Sequence, residues 1–154
     1  MEGGVRQTPP FLIRKKKIMN DLLAQYIVGL VTDENDQFYF VQKGGVTFAL
    51  SKEEGEHSLG QSVKGFAYTD MKQKLRLTTK EVGASRTSFG WGTVSEVRKD
   101  LGVFVDTGLP DKQVVVSLDI LPEIKELWPK KGDQLYVKLD VDKKDRIWAL
   151  PAFQ

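Results

Sequence analysis

The sequence predicts an all-β protein made of two tandem five-stranded closed barrels, with a short helix in the second. Three observations carry this. Residues 91–150 hold four or five short β-type runs separated by turn chemistry. The order of runs and turns found over residues 22–80 restarts at Trp91. The 154 residues, 40% hydrophobic and 29% charged, suffice to bury one medium core or two small ones.

The first unit is expected over residues 22–80. Ala24–Val31 is rich in Tyr, Ile, Val and Leu, as strands are. Residues 32–37 turn, because Asx and Thr side chains bond to nearby backbone. Phe38–Gln42 and Val46–Leu50 read as strands around the Lys43-Gly-Gly45 turn. Residues 51–58 read as a polar loop or one helical turn. His57, the single histidine, is expected to be exposed there. Gln61–Tyr68 and Lys74–Thr79 complete the set, joined by a turn at 69–73. Residues 81–90, small and polar, are expected to be a linker.

The second unit is expected over residues 91–151. Its runs are Trp91–Val97, the stretch around Gly102–Val105, Val114–Ser117, the stretch from Gly132 to Asp142, and Arg146–Leu150. Gly29-Leu-Val31 answers Gly92-Thr-Val94, Phe40-Val41 answers Phe104-Val105, and Asp70 with Lys74 answers Asp142 with Arg146. The offset drifts from 63 to 72 residues, mostly because 118–131 is longer in the second copy. Within that insertion Ser117 or Asp119 can cap a helix over Leu121–Leu127 that Pro129 ends. Its apolar residues would cover one end of the barrel, and Trp128 is expected to pack there.

Composition narrows the function. No apolar run is long enough to cross a bilayer and no signal-like stretch begins the chain, so a cytoplasmic protein is expected. The absence of cysteine excludes Cys-based zinc, iron–sulfur and thiol chemistry. The net charge of +2 is uneven: residues 1–18 hold five basic residues and one acid, and residues 19–154 hold 18 basic and 20 acidic. A slightly acidic body cannot grip polyanions by bulk charge, so any nucleic-acid site must be a local arrangement. Residues 1–21 are expected to be a flexible basic arm or an extension, with Met19-Asn-Asp-Leu-Leu a natural beginning. There is no Walker loop, HExxH or GxSxG, and no enzyme or cofactor is expected.

Several phrases are distinctive. Gly92–Val97, Gly102–Val105, Val116-Ser117, Gly132-Asp133, Val137-Lys138 and Asp142–Ile147 resemble the S1-type RNA-binding domain, a five-stranded OB barrel. Asp106–Pro110 and Leu121–Asp133 resemble the second domain of the conserved virulence factor B family of Gram-positive bacteria. The residues before Trp91 resemble that family's degenerate first domain. The resemblance covers residues 22–151 and implies a cytoplasmic, RNA-binding regulator of gene expression or virulence. It also implies a longer chain, with a third S1-type domain and a winged-helix domain as further partners.

The resemblance implies a site as well: an aromatic opening strand two, another three residues later, a histidine on strand three, and Asp and Arg flanking the last turn. Phe104, Asp142 and Arg146 stand at three of these places, and Leu101 and Val115 at the others. In the first unit Phe40, Asp70 and Lys74 match, with Gln37 and Ala49 elsewhere. Phe104 reads as a stacking platform for single-stranded RNA or as core. Trp148 shares a strand face with Arg146, so it either replaces a missing stacker or packs under the linker or the first barrel. Lys138, Lys143 and Lys144 read as phosphate-neutralising cations or a solvated face. Asp140, Asp142 and Asp145 read as a hairpin turn, since they lack the glycine and terminal glutamate of a calcium loop. The rival reading is a pair of protein-interaction or spacer barrels that have lost the RNA face.

Overall fold

The computed structural model describes residues 10–152. One α-helix, α1 (Pro10–Leu22), precedes ten strands. Strands β1 (Gln25–Glu34), β2 (Phe38–Lys43), β3 (Val46–Ser51), β4 (Ser62–Thr69) and β5 (Leu75–Thr78) close one barrel in the order β1-β2-β3-β5-β4. Strands β6 (Gly90–Arg98), β7 (Gly102–Asp106), β8 (Val114–Ser117), β9 (Gln134–Val141) and β10 (Ile147–Pro151) close a second in the equivalent order, β6-β7-β8-β10-β9. No helix among the described residues is long and apolar enough to cross a membrane.

The barrels follow from alternation. Along β1, Ile27, Gly29 and Val31 face inward, while Tyr26, Val28 and Leu30 face out. Phe48, Leu50 and Leu77 fill the first interior; Val94, Val103, Val105 and Leu139 fill the second. The matched glycines of the repeat have a steric cause. A Cβ on Gly29 would lie 2.6 Å from Val41 Cγ1, and one on Gly92 would lie 2.5 Å from Val105 Cγ1. The first strand of each barrel therefore crosses its partner at the one residue type that lets the backbones close. Two or three residues later both pairings carry a bulge, at Val31/Asp33 and at Val94/Glu96.

Three local expectations change. The arm expected over 1–21 is helical from Pro10 onward, and residues 1–9 lie outside the described residues. Met19, Leu22 and Leu23, spaced for one helical face, pack against the first core and hold the helix in place. The helix expected over 121–127 is replaced by two 3₁₀ turns, Leu118–Ile120 and Lys125–Leu127. Pro122 interrupts the ladder between them, because it has no N–H and disfavours a helical residue before it. Only Leu121 and Trp128 of this segment are buried; Trp128 Nε1 donates to Pro122 O at 2.6 Å. Ile120, Ile124 and Leu127 stay exposed instead of covering the barrel end. His57 is half-buried rather than exposed, its ring edge-on to Tyr39 at 5.5 Å between centroids.

The core of the second barrel extends onto the outer face of the first, which keeps its own core, and Val141 packs against both. Ala24, Phe66 and Tyr68 of the first unit pack in a single cluster with Val82 and Ala84 of the connection and with Val94, Leu139 and Ala149 of the second. The segment expected to be a linker is accordingly built in. Ser85 O accepts Leu139 N at 2.9 Å, Gly83 N donates to Thr107 O at 2.9 Å, and Tyr26 Oη accepts Val82 N at 2.9 Å. Arg86 reaches back to the end of α1, where Nη1 donates to Asn20 O (2.6 Å) and Leu23 O (3.1 Å) and its N–H donates to Ala24 O (2.8 Å). Asn20 in turn donates to Asp142 O (2.9 Å) and Asp145 Oδ1 (2.7 Å) of the second barrel. Tyr68 Oη donates to Asp111 Oδ1 at 2.9 Å, and Lys112 Nζ donates to Thr69 O at 2.5 Å.

Arg86→Ala removes the side-chain donor to the carbonyls of Asn20, in α1, and Leu23, just past its end. It should lower the unfolding free energy by about 1–3 kcal/mol in urea titrations at pH 7. Arg86→Lys should recover only part of that, because both bonds come from Nη1 and the lysine ammonium ends one atom short of that position.

Candidate functional site

One carboxylate organises the turn between β9 and β10. Asp142 Oδ1 accepts the backbone N–H of Lys144 and of Arg146, each at 2.9 Å. Its Oδ2 accepts Arg146 Nε at 2.8 Å and Trp148 Nε1 at 3.0 Å. The turn needs this brace because Asp145 sits in the left-handed region, at φ 63°. Partial burial works against ionisation of Asp142, but the donors from Trp148, Arg146 and Lys144 outweigh it and hold its pKa down to about 2. Asp142 therefore stays charged and fixes two neighbours: the Arg146 guanidinium lies 5.7 Å from the centroid of the Trp148 ring. Only Nε of Arg146 is engaged among the described hydrogen bonds, which leaves its terminal amino groups as donors.

Register places these groups beside Phe104. Phe104 pairs with Val115 across β7 and β8, and Val115 pairs with Trp148 across β8 and β10. The flanking Val103, Val105, Ile147 and Ala149 point into the core, so Phe104, Val115 and Trp148 form one outward row of two half-buried rings across an aliphatic step. The row floors a cleft of about 620 Å³. Asp70, Met71 and Gln73 of the first barrel, from the turn between β4 and β5, form its far wall, and Leu109–Gln113 forms its rim. The cleft thus exists only because the barrels are joined.

The first barrel repeats the device with other side chains. Asp70 Oδ1 accepts Lys72 N and Lys74 N, at 2.8 and 2.9 Å, and its Oδ2 accepts Arg76 Nε at 2.9 Å. Burial again works against ionisation, and the Lys74, Arg76 and Lys72 donors again win, so the Asp70 pKa is lowered. The outward row here is Phe40, Ala49 and Arg76, with the Arg76 guanidinium 4.5 Å from the Phe38 ring centroid. Pro110 and Asp111 of the second barrel stand over this face and reduce it to about 350 Å³. Arg76 and Phe38 were missed from sequence, although Arg76 follows from the offset that matches Asp70 to Asp142, which sets it opposite Trp148.

The remaining sequence candidates lie apart. Lys143 and Lys144 are exposed in the braced turn, outside the cleft lining. Lys138 faces away from it, with Nζ 5.7 Å from the Phe89 ring centroid. Lys74 contributes its backbone N–H to the turn, and its side chain is exposed. Leu101 lies in the turn before β7, outside the cleft. Lys112, at the rim, has its pKa lowered by burial against the pull of Asp70 and Asp111, and is tied to Thr69.

Residues 89–150 match the family model described as the first S1-like domain of CvfB, and residues 25–80 match the S1 domain model. A multidomain protein with nucleic acid binding domains from Streptococcus pneumoniae TIGR4 is 75% identical, with a TM-score of 0.81 over 87% of this chain and 47% of its own. Over its two barrels the chain is similar to the conserved virulence factor B family. Conserved virulence factor B of Staphylococcus epidermidis is 32% identical over 62% of this chain and 32% of its own length. YitL of Bacillus subtilis is 35% identical over 84% of this chain and 44% of its own. The chain therefore spans less than half the length of these relatives. The family's naming also corrects one expectation: the barrel read as the family's second domain matches the model for its first S1-like domain.

Asp142 gives the turn a pH signature. Its folded pKa of about 2 lies below the unfolded carboxylate value of about 3.9. Its contribution is present above about pH 4 and is lost as pH falls toward 2, and the lowered Asp70 acts in the same direction. In urea titrations, Asp142→Asn should destabilise the chain at pH 7 and lose less stability than the parent between pH 5 and about pH 2.

Proposed function

We propose that the chain binds single-stranded RNA, without catalysis, in the cleft floored by Phe104, Val115 and Trp148. The observation that carries this is the outward row itself. Two half-buried rings, on β7 and β10 with β8 between them, are held by paired backbone and by the Asp142 hydrogen bonds, so little side-chain freedom is lost when a base stacks on them. Arg146 supplies a planar cation with free amino groups beside Trp148, suited to a phosphate or a base edge. Lys143 and Lys144, exposed in the same turn, stand where a backbone leaving the cleft would be neutralised. The similarity of both barrels to S1-type domains supports the same ligand class. In this reading the chain is the RNA-contacting part of a cytoplasmic bacterial regulator, working with a third S1-type domain and a winged-helix domain of a longer protein.

A second reading has one observation in its favour. Leu101, Leu118, Ile120, Ile124 and Leu127 are all exposed on the insertion side of the second barrel, an apolar surface of the kind protein partners cover. In that reading the barrels are interaction or spacer modules.

Fluorescence anisotropy with a labelled single-stranded oligouridine decides between them. Phe104→Ala with Trp148→Ala should weaken binding by roughly five- to a hundredfold for each stack lost. Arg146→Ala should weaken it further and flatten the salt dependence. Unchanged affinity in all three substitutions, with far-UV circular dichroism preserved, sinks the RNA-face reading.

A further inference from the structure

The second barrel carries another aromatic surface, away from the cleft. Trp91 on β6 and Tyr136 on β9 are direct cross-strand partners with ring centroids 4.9 Å apart. Phe89, just before β6, stacks on Tyr136 at 5.4 Å and 18° between planes. All three face water: Trp91 is 63% exposed, Tyr136 42% and Phe89 41%. Lys138 follows two residues after Tyr136 on the same outward face, and its Nζ lies over the Phe89 ring. Lys138 has no carboxylate partner among the described residues.

We infer that Phe89, Trp91, Tyr136 and Lys138 form a second binding site for single-stranded nucleic acid, which stacks unpaired bases on the rings and holds the phosphodiester backbone with Lys138. Mutual contact across β6 and β9 would account for an aromatic pair. It does not account for a Trp that keeps nearly two-thirds of its surface in water beside a third ring and a cation. Flat π-faces joined to an unpaired ammonium match the two chemistries of a single strand, base and phosphate. The rings stand on paired strands, so their orientation is set before a ligand arrives. The site shares its ligand class with the cleft, but none of its residues.

The test uses the 154-residue chain and a fluorescein-labelled oligouridine of about 20 nucleotides, with anisotropy as readout. Trp91→Ala with Tyr136→Ala should weaken binding about fivefold or more, both in the parent and in the Phe104→Ala, Trp148→Ala background. Trp91→Phe with Tyr136→Phe should retain most of the affinity, because a π-face remains, and Lys138→Ala should lower the salt dependence. Ultraviolet crosslinking should recover RNA on peptides that contain Trp91 or Tyr136. Affinity unchanged by the alanine pair, with the melting temperature preserved, overturns the inference. So does an effect of that pair on sedimentation alone, which would mark the surface as a protein contact. If the cleft substitutions have no effect but the Trp91 and Tyr136 pair does, the cleft reading fails and this site stands.

Discussion

Arg86 and its neighbours are the constraint on which the rest of the structure depends. Two small barrels joined by a free tether would each present a partial face, and the distance between the faces would vary. Here the connecting segment is hydrogen-bonded to both barrels, through Ser85 to Leu139 and Gly83 to Thr107 on one side and through Tyr26 to Val82 and Arg86 to Ala24 on the other. The same segment fixes the end of α1, and α1 reaches over to Asp142 and Asp145. The turn that orients Arg146 and Trp148 is thus tied to an element that precedes the first barrel. Even the backbone pays for the arrangement: buried Ala24 sits at φ 61°, held there by Ala67 O and Arg86 N.

The cleft that results is not a basic one. Asp70, Asp106 and Asp111 border it, Lys112 is spent on Thr69, and Arg146 is shared with Asp142. Phosphate attraction is therefore weak there, and discrimination falls to stacking and to the free amino groups of Arg146. A site of this kind favours splayed single strands, whose bases can enter the cleft, over duplexes, whose outer surface is phosphate. The first barrel follows the same plan with a guanidinium in place of an indole, but the Pro110–Asp111 rim of its neighbour stands over it. The two faces are consequently unequal, and the second is the open one.

Much of this was legible in the chain. The strand order and the repeat could be read because Gly29 and Gly92, and Asp70 and Asp142, are fixed by local sterics and local turn hydrogen bonds, which leave marks at constant places. Phe104 and Arg146 were singled out by resemblance, and strand parity set Trp148 on one face with Arg146 without saying whether that face is open or packed. What could not be read depends on contacts distant in sequence. The connection looks like a linker because its residues are small, and they are small where it lies against the second barrel: a Cβ on Gly90, the first residue of β6, would fall 1.7 Å from Gly83 O. The grouping of Lys138 with the cleft failed for a related reason. Nothing local shows that β9 turns its outward residues toward β6, where Tyr136 meets Trp91.

The central claim is that the two barrels form one rigid body, so that residues of both build a single cleft. Backbone N–H residual dipolar couplings of the free chain in a weakly aligning medium test it directly. The account predicts that one alignment tensor fits the amides of β1–β5 and β6–β10 together. Two tensors of different magnitude or orientation for the two barrels would contradict it.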